Sequence, residues 1–276
     1  MGAPVNPPES KALIVELIGT PAAGKSTFLP AIKDYFRLQR MQPWSVLEAA
    51  RPFARRTPLG RLVNAWAPRT LRGPLLWQVF YHTSRMYRAR FRSEHRELMD
   101  GTLRFQHQRP ITEADRQHVL RWFINLTGQH SFLKAYARPG EVLIFDEGFV
   151  HRVVQLFASE VEPVDADRIR AYLAQVPVPD LIIEPRASVQ TCVDRVYMRG
   201  VWKRFRDREK AAVTQFIANA HAAVDIAVDY MLAEGWPIIQ VRNEDRPASE
   251  SVHELSRQLS SRYQLLPNKA FLSMNV

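Results

Sequence analysis

Cysteine is nearly absent. Cys192 is the only one in 276 residues, so no intramolecular disulfide can form, and the expected setting is a reducing cytoplasm. Within a helical pattern a lone cysteine reads as a small core residue rather than a reactive thiol. No apolar run reaches the roughly 18 residues of a spanning helix. The opening MGAPVNPPES lacks the basic start and apolar stretch of a secretory signal, and Asn6 stands where myristoylation at Gly2 wants Ser or Thr. This Pro-rich leader, residues 1–10, is expected to be disordered. There is no zinc-type spacing, recognition-helix motif or RNP-like segment, which argues against nucleic acid as the partner. Internal repeats and low-complexity blocks are also missing. The most local deficit is of acids and lysine. From Arg51 to Arg109 there are 13 Arg, no Lys, and only Glu94, Glu97 and Asp100 as acids. That stretch carries the whole formal charge of +10, and the remainder is balanced. Such a field favours an anionic partner, and arginine suits bidentate oxyanion recognition. The plain alternative is a solvated basic face.

What is present is ordinary globular composition, 46% hydrophobic and 24% charged, enough to bury one large core. Short, branched apolar runs read as buried parallel strands at Ala12–Ile18, Trp44–Leu47, Glu141–Asp146, Asp180–Ile183 and Pro237–Val241. Between them, 3.6-residue periodicity predicts helices at Gly24–Arg40, Leu75–Met99, Glu113–Ala137, Phe149–Ala158, Asp165–Val176, Ala187–Arg199, Asp207–Ala233 and Ala248–Arg262. Pro52, Pro58, Pro68 and Pro74 are expected to break the region before Leu75 into short pieces. Strands alternating with helices imply an α/β fold, a three-layer α/β/α P-loop NTPase arrangement on a five-stranded parallel sheet. Residues 11–50 and 139–262 form its core, residues 51–138 a basic helical insert within the same domain, and residues 263–276 a tail.

The chemistry starts at GTPAAGKST. Gly19, Gly24, Lys25 and Ser26 fit G-x-x-x-x-G-K-[ST], the Walker A pattern, between an apolar strand and a periodic helix. Glycines let consecutive N–H groups turn inward onto phosphate oxygens, and the helix adds its positive end. The nucleotide-binding set is therefore Gly19, Thr20, Pro21, Ala22, Ala23, Gly24, Lys25, Ser26 and Thr27. Lys25 reaches the outer phosphates and Ser26 ligates Mg²⁺. Asp146 ends the strand VLIFD, and a carboxylate there serves as the second magnesium anchor or caps the next helix. Glu147 orients or deprotonates a nucleophile, or faces solvent. Glu48 closes the second predicted strand on the edge of the sheet where ligands bind. It is read either as a base toward an acceptor or as the partner of Arg51 or Arg55.

Together these strings resemble the P-loop nucleoside and nucleotide kinases, thymidylate kinase and the deoxynucleoside kinases above all. GTPAAGKST comes first. VLEAARP (Val46–Pro52) resembles the acidic end of their second strand, and VLIFDEG (Val142–Gly148) the Asp-Arg or Glu-Arg strand end. PDLIIEPRASVQTCVDRVYMRG (Pro179–Gly200) resembles their run into an Arg-bearing lid, and VRNEDRP (Val241–Pro247) their loop near adenine. The resemblance implies an ATP- and Mg²⁺-dependent kinase in which Arg195 and Arg199 contact phosphates as a lid closes, with Arg204, Arg206 and Arg208 as further lid candidates. Glu147 departs from the Arg that thymidylate kinases carry after the Asp, and Arg152 or His151 would stand in for that contact. The acceptor is a small hydroxyl or phosphate compound, anionic in keeping with the charge: a nucleoside, a nucleotide, a sugar or another metabolite.

For residues 51–109, Trp66, Trp77, Phe80, Tyr81, Tyr87 and Phe91 interleave with Arg85, Arg88, Arg90 and Arg92. An acceptor pocket is the favoured reading. Contact with an anionic membrane, single-stranded nucleic acid, or core helices with a basic outer face are the others. Two rival functions share the P-loop. An ATPase acting on a partner would use Asp146-Glu147 to position water, but no guanine-reading N-K-x-D string or docking repeat accompanies it. A sulfotransferase-like enzyme does not usually keep a complete GKS.

Overall fold

The first strand forms because LIVEL is branched and, apart from Glu16, apolar, and so is suited to burial on both faces in the middle of a parallel sheet. In the computed structural model, which describes residues 11–202, 205–206 and 208–263, this is β1 (Leu13–Leu17). The order continues α1 (Lys25–Leu38), β2 (Gln42–Ser45), α2 (Val46–Ala54), α3 (Pro58–Trp66), α4 (Arg69–Glu94), α5 (Arg96–Gln108), α6 (Glu113–Tyr136) and β3 (Glu141–Phe145). It ends with α7 (Arg152–Phe157), α8 (Ala166–Leu173), β4 (Leu181–Arg186), α9 (Val189–Arg199), α10 (Lys210–Ala233), β5 (Ile238–Arg242) and α11 (Ala248–Tyr263). All five strands are parallel, in the order β2-β3-β1-β4-β5. The leader, the tail beyond Tyr263 and Arg204 lie outside the described residues.

Alternation along each strand divides the core in two. Leu13, Val15 and Leu17 join Val142, Ile144, Leu181 and Ile183 under α1 and α11. Leu143, Phe145 and Ile182 face the larger layer, to which α2 and α4–α10 contribute. α10 is the one described helix long and apolar enough to cross a membrane. Here Val213, Ile217, Val224, Val228 and Met231 are buried in the larger core.

The chain leaves β1 toward β2 on one side and leaves β3 across β1 toward β4 on the other. The carboxyl ends of β1 and β3 therefore flank the crevice where strand order reverses, the place at which open α/β sheets bind ligands.

Three expectations are corrected. The second strand begins at Gln42 and ends at Ser45, so Glu48 is in the first turn of α2 and not at a strand end. Ser45 and Glu48 form a capping box, which starts the helix where the branched residues suggested a strand. Second, Pro52 and Pro74 lie inside α2 and α4, whereas Pro58 opens α3 and Pro68 caps α4. Burial of Ala49, Ala50 and Phe53 with Leu76, Val79 and Phe80 holds those two helices together despite a missing backbone bond in each. Third, the predicted Leu75–Met99 helix is two helices, broken at His95. That residue leaves the helical region (φ −132°, ψ 50°) and lays its ring 4.5 Å from Phe91.

Candidate active site

The loop between β1 and α1 carries the sharpest local constraint. Gly24 sits at φ 109°, outside the range of ordinary residues, and a Cβ there would fall 2.0 Å from Asn243 Nδ2. Asn243, buried on the loop after β5, donates from Nδ2 to Ala23 O at 2.7 Å. Arg195 on α9 braces the same corner. It donates from Nη2 to Asn243 O at 2.7 Å and from Nη1 to Ala22 O at 3.4 Å. With the loop pinned this way, the amides of Gly24, Lys25 and Ser26 have no acceptor among the described residues. They open the N-terminal end of α1, a ready-made seat for an anion.

A cleft of about 1050 Å³ opens in front of them. Pro21, Ala22, Gly24, Lys25, Ser26 and Thr27 form one wall, and Asp146 and Glu147 stand at the end of β3. Arg195 and Arg199 close one side. Asp115, His118 and Trp122 of α6, with His151 and Gln155 of α7, form the far wall. Lys25 Nζ donates to Gly19 O at 3.0 Å. Burial pushes its ammonium down to about 8, although Glu147 and Asp146 pull the other way. Arg199 makes no hydrogen bond or ion pair with another described residue, and its charge reaches Lys25.

The chain after Asp146 is shaped by a buried acid that the sequence reading passed over. Glu16 of β1 is 1% exposed, and its Oε2 accepts from Val150 N at 2.8 Å. A Cβ on Gly148 would fall 2.2 Å from Glu16 Cδ, so the turn after Glu147 passes directly over the carboxyl. Burial raises Glu16 to about 7, against the Val150 amide and the charge of Arg152. Glu147 itself is held from the far side: its Oε2 accepts from Gln155 Nε2 at 3.2 Å and lies 3.5 Å from Arg152 Nη1. His151 is buried at 3% exposure with Nδ1 lacking any partner among the described residues. Burial, with Lys25 and Arg152 adding to it, holds this imidazole well below the ordinary histidine range. It is neutral at pH 7 and offers the cleft a hydrogen bond, not a charge.

The predicted residues do not all converge. Lys25, Ser26, Thr27, Asp146, Glu147, Arg195 and Arg199 meet at the cleft. Gly19, Thr20 and Ala23 shape the loop behind it. Glu48 is elsewhere: it accepts from Lys33 Nζ at 2.7 Å and from Ser45 N at 3.1 Å, and does not line the cleft. Arg51 and Arg55 are not its partners; Lys33 of α1 is. Arg208 lies 4.0 Å from Glu160, and neither it nor Arg206 reaches the cleft wall. No residue of the Arg-rich stretch 51–109 lines the cleft either. The helical insert contributes only through α6, from Ala114 to Trp122. Those α6 residues carried no sequence signal beyond an amphipathic helix. His118 against Trp122, at 4.5 Å, is an i,i+4 pair visible only once the helix is in place.

A bound Mg²⁺ takes few protein ligands and completes its shell with phosphate and water oxygens. The hydroxyl of Ser26 and the carboxylate of Asp146, both on the cleft, are the hard oxygen donors that suit it. Among the described residues no group of three or more His, Cys, Asp or Glu side chains converges into a denser metal site.

No protein-family model and no curated protein matches the chain. Among solved structures, it is similar to a deoxyadenosine kinase from M. mycoides solved with the products dCMP and a flexible dCDP bound. The two are 14% identical with a TM-score of 0.40, over 90% of this chain and 100% of that one. At that overlap the likeness says nothing about activity.

Proposed function

We propose that the protein is an ATP-dependent phosphotransferase that moves a γ-phosphoryl group onto a small acceptor. One observation carries the reading. The anion seat at the start of α1 and the carboxylates at the end of β3 open into one cleft, and that cleft continues past them to a second wall on α6 and α7. Its volume is at the upper end for a single ligand, room for a nucleotide and an acceptor side by side. A hydrolase needs space for water only.

In this reading the amides of Gly24, Lys25 and Ser26 and the ammonium of Lys25 hold the β- and γ-phosphates. Ser26 and Asp146 would hold a Mg²⁺ ion, which would supply positive charge to the phosphate oxygens. Arg199, unpaired among the described residues, follows the transferred group. Arg195 acts one step back, by holding Ala22 and Asn243. An acceptor hydroxyl lies between Trp122 and Glu147. Its oxygen attacks the γ-phosphorus, the bond to the β–γ bridging oxygen breaks, ADP leaves, and the proton passes to Glu147. Glu48, committed to Lys33 and the α2 cap, takes no part.

The test is calorimetry of ATP with and without Mg²⁺ on wild type and Lys25→Ala, followed by a panel of nucleosides, nucleotides and sugars monitored by ADP release. Mg²⁺-dependent binding lost in the variant, with one acceptor raising turnover well above the basal rate, supports the reading. Robust hydrolysis that no acceptor increases assigns the cleft to an ATPase. A folded wild type that binds no nucleotide overturns the proposal altogether.

A further inference from the structure

The arginines between Arg51 and Arg109 contribute nothing to the cleft wall; Arg56 and Arg109 turn inward onto Glu141 and Glu162, whereas Arg55, Arg61 and Arg69 lie on the outside of the molecule. From Ala49 to Ser93 there are ten Arg and no Asp, Glu or Lys. Within this stretch α3 is unusual. Only Gly60 is buried, pressed so close to the end of α2 that a Cβ would fall 1.8 Å from Ala54 O. The helix thus rests on the body through Gly60 and Val63, and Leu59, Leu62 and Trp66, at i, i+3 and i+7, form a stripe in water. Their exposures are 54%, 58% and 84%. The first turns of α4 extend the apolar surface with Leu71 and Leu75, 54% and 40% exposed. Arg55, Arg61 and Arg69 are exposed beside them. A helix with leucines and a tryptophan on its outer stripe and arginines alongside is the pattern of an interfacial element.

We propose that α3 and the first turns of α4 dock the protein on an anionic lipid bilayer, with Leu59, Leu62 and Trp66 at the headgroup–acyl boundary and Arg55, Arg61 and Arg69 on lipid phosphates. Charge complementarity selects this occupant. A second copy of the chain would bring two acid-free arginine faces together. A nucleic acid would satisfy the arginines but leave the leucines of α3 in water, with Trp66 the one ring on that helix to stack on a base.

The full chain is sedimented with phosphatidylcholine vesicles and with the same vesicles doped with phosphatidylglycerol. It should follow the doped vesicles, release as salt rises, and ignore the neutral ones. The double variant Leu62→Ser, Trp66→Ser should bind at least about tenfold more weakly. Arg55→Gln, Arg61→Gln, Arg69→Gln should lose the preference for anionic lipid. None of these residues touches the cleft, and circular dichroism with thermal unfolding of each variant reports that it is folded, which keeps this test separate from that of the phosphotransferase. Three outcomes overturn the proposal: a wild type that binds neither vesicle, variants that bind like wild type, and a patch that instead drives dimerisation or oligonucleotide binding.

Discussion

In the proposed nucleotide site Lys25 does more than carry a fixed charge, because burial brings its ammonium to the edge of physiological titration. With its pKa near 8, nucleotide binding requires the lysine to take up a proton once the pH exceeds that value. Affinity for ATP is therefore expected to be flat below pH 8 and to weaken by up to about tenfold per pH unit above it. Calorimetry across that range, repeated in buffers of different ionisation enthalpy, should show proton uptake appearing only on the alkaline side. Glu16 gives the opposite kind of signature, in stability. Folded, it keeps its proton to about pH 7, whereas the unfolded chain releases it near 4.5. Between those values the native state binds more protons, so stability falls as the pH rises through the window and then levels off. Relative to Glu16→Gln, wild type should lose roughly 3 kcal/mol across it. Urea unfolding of both proteins at pH 4.5 and pH 7.5 measures the difference, and parallel curves would remove Glu16 from the account of the turn after β3.

Individual elements decide what such residues can do. α2 takes Glu48 out of the cleft: as the N3 residue of a capping box, the carboxylate folds back on Ser45 and pairs with Lys33. Glu48→Gln should leave nucleotide binding and turnover unchanged and cost about 1 kcal/mol in chemical denaturation. A collapse of kcat would restore Glu48 to the chemistry. α6 is the reverse case, a helix whose N-terminal half faces the cleft opposite the P-loop. Trp122→Ala should raise the KM for the acceptor by about tenfold while the KM for ATP stays as it was, since the ring stands on the far wall. Equal effects on both substrates would place Trp122 at the nucleotide instead.

At the level of the whole molecule, the five helices between β2 and β3 are anchored to the sheet by one polar clamp. Glu141 opens β3 and receives both arms of Arg56, with Nη1 at 2.7 Å, the indole of Trp44 at 3.2 Å and the amide of Arg138 at 2.8 Å. Arg56 also donates to Tyr136 O at 2.7 Å, joining the ends of α2 and α6. Burial opposes ionisation of Glu141, but Arg56 and the Arg138 amide outweigh it and hold the carboxyl below its usual range. That stabilisation is complete above pH 4.5 and is lost as the pH falls through the depressed value. Arg56→Ala would strand a buried carboxylate, costing about 3 kcal/mol near neutrality, and the penalty should shrink in acid. Thermal or urea unfolding of the pair against pH tests it.

The parallel sheet, its five strands and the tight turn after the first of them were legible along the chain because each is dictated locally. Branched apolar runs must be buried on both faces, and G-x-x-x-x-G-K-S at a strand-to-helix turn leaves amides with nowhere to point but inward. Asp146 and Glu147 could be placed because they end such a strand. Glu48 could not, because VLE favours strand and helix almost equally and a capping box from Ser45 to Glu48 settled it. The helical insert is delimited in the sequence by its position and charge. Which of its faces meets the cleft depends on how α4 and α6 pack together, and no spacing within either helix encodes that. Asn243, Glu16 and Trp122 became visible only when residues far apart in sequence met: Asn243 reaches Ala23 across 220 positions, and Glu16 reaches Val150 across 134. Local patterns carry local free energies, so they specify strands, turns and the anion seat. The far wall of the cleft and the outward-facing arginines come from the packing of whole helices, a property of the folded chain alone.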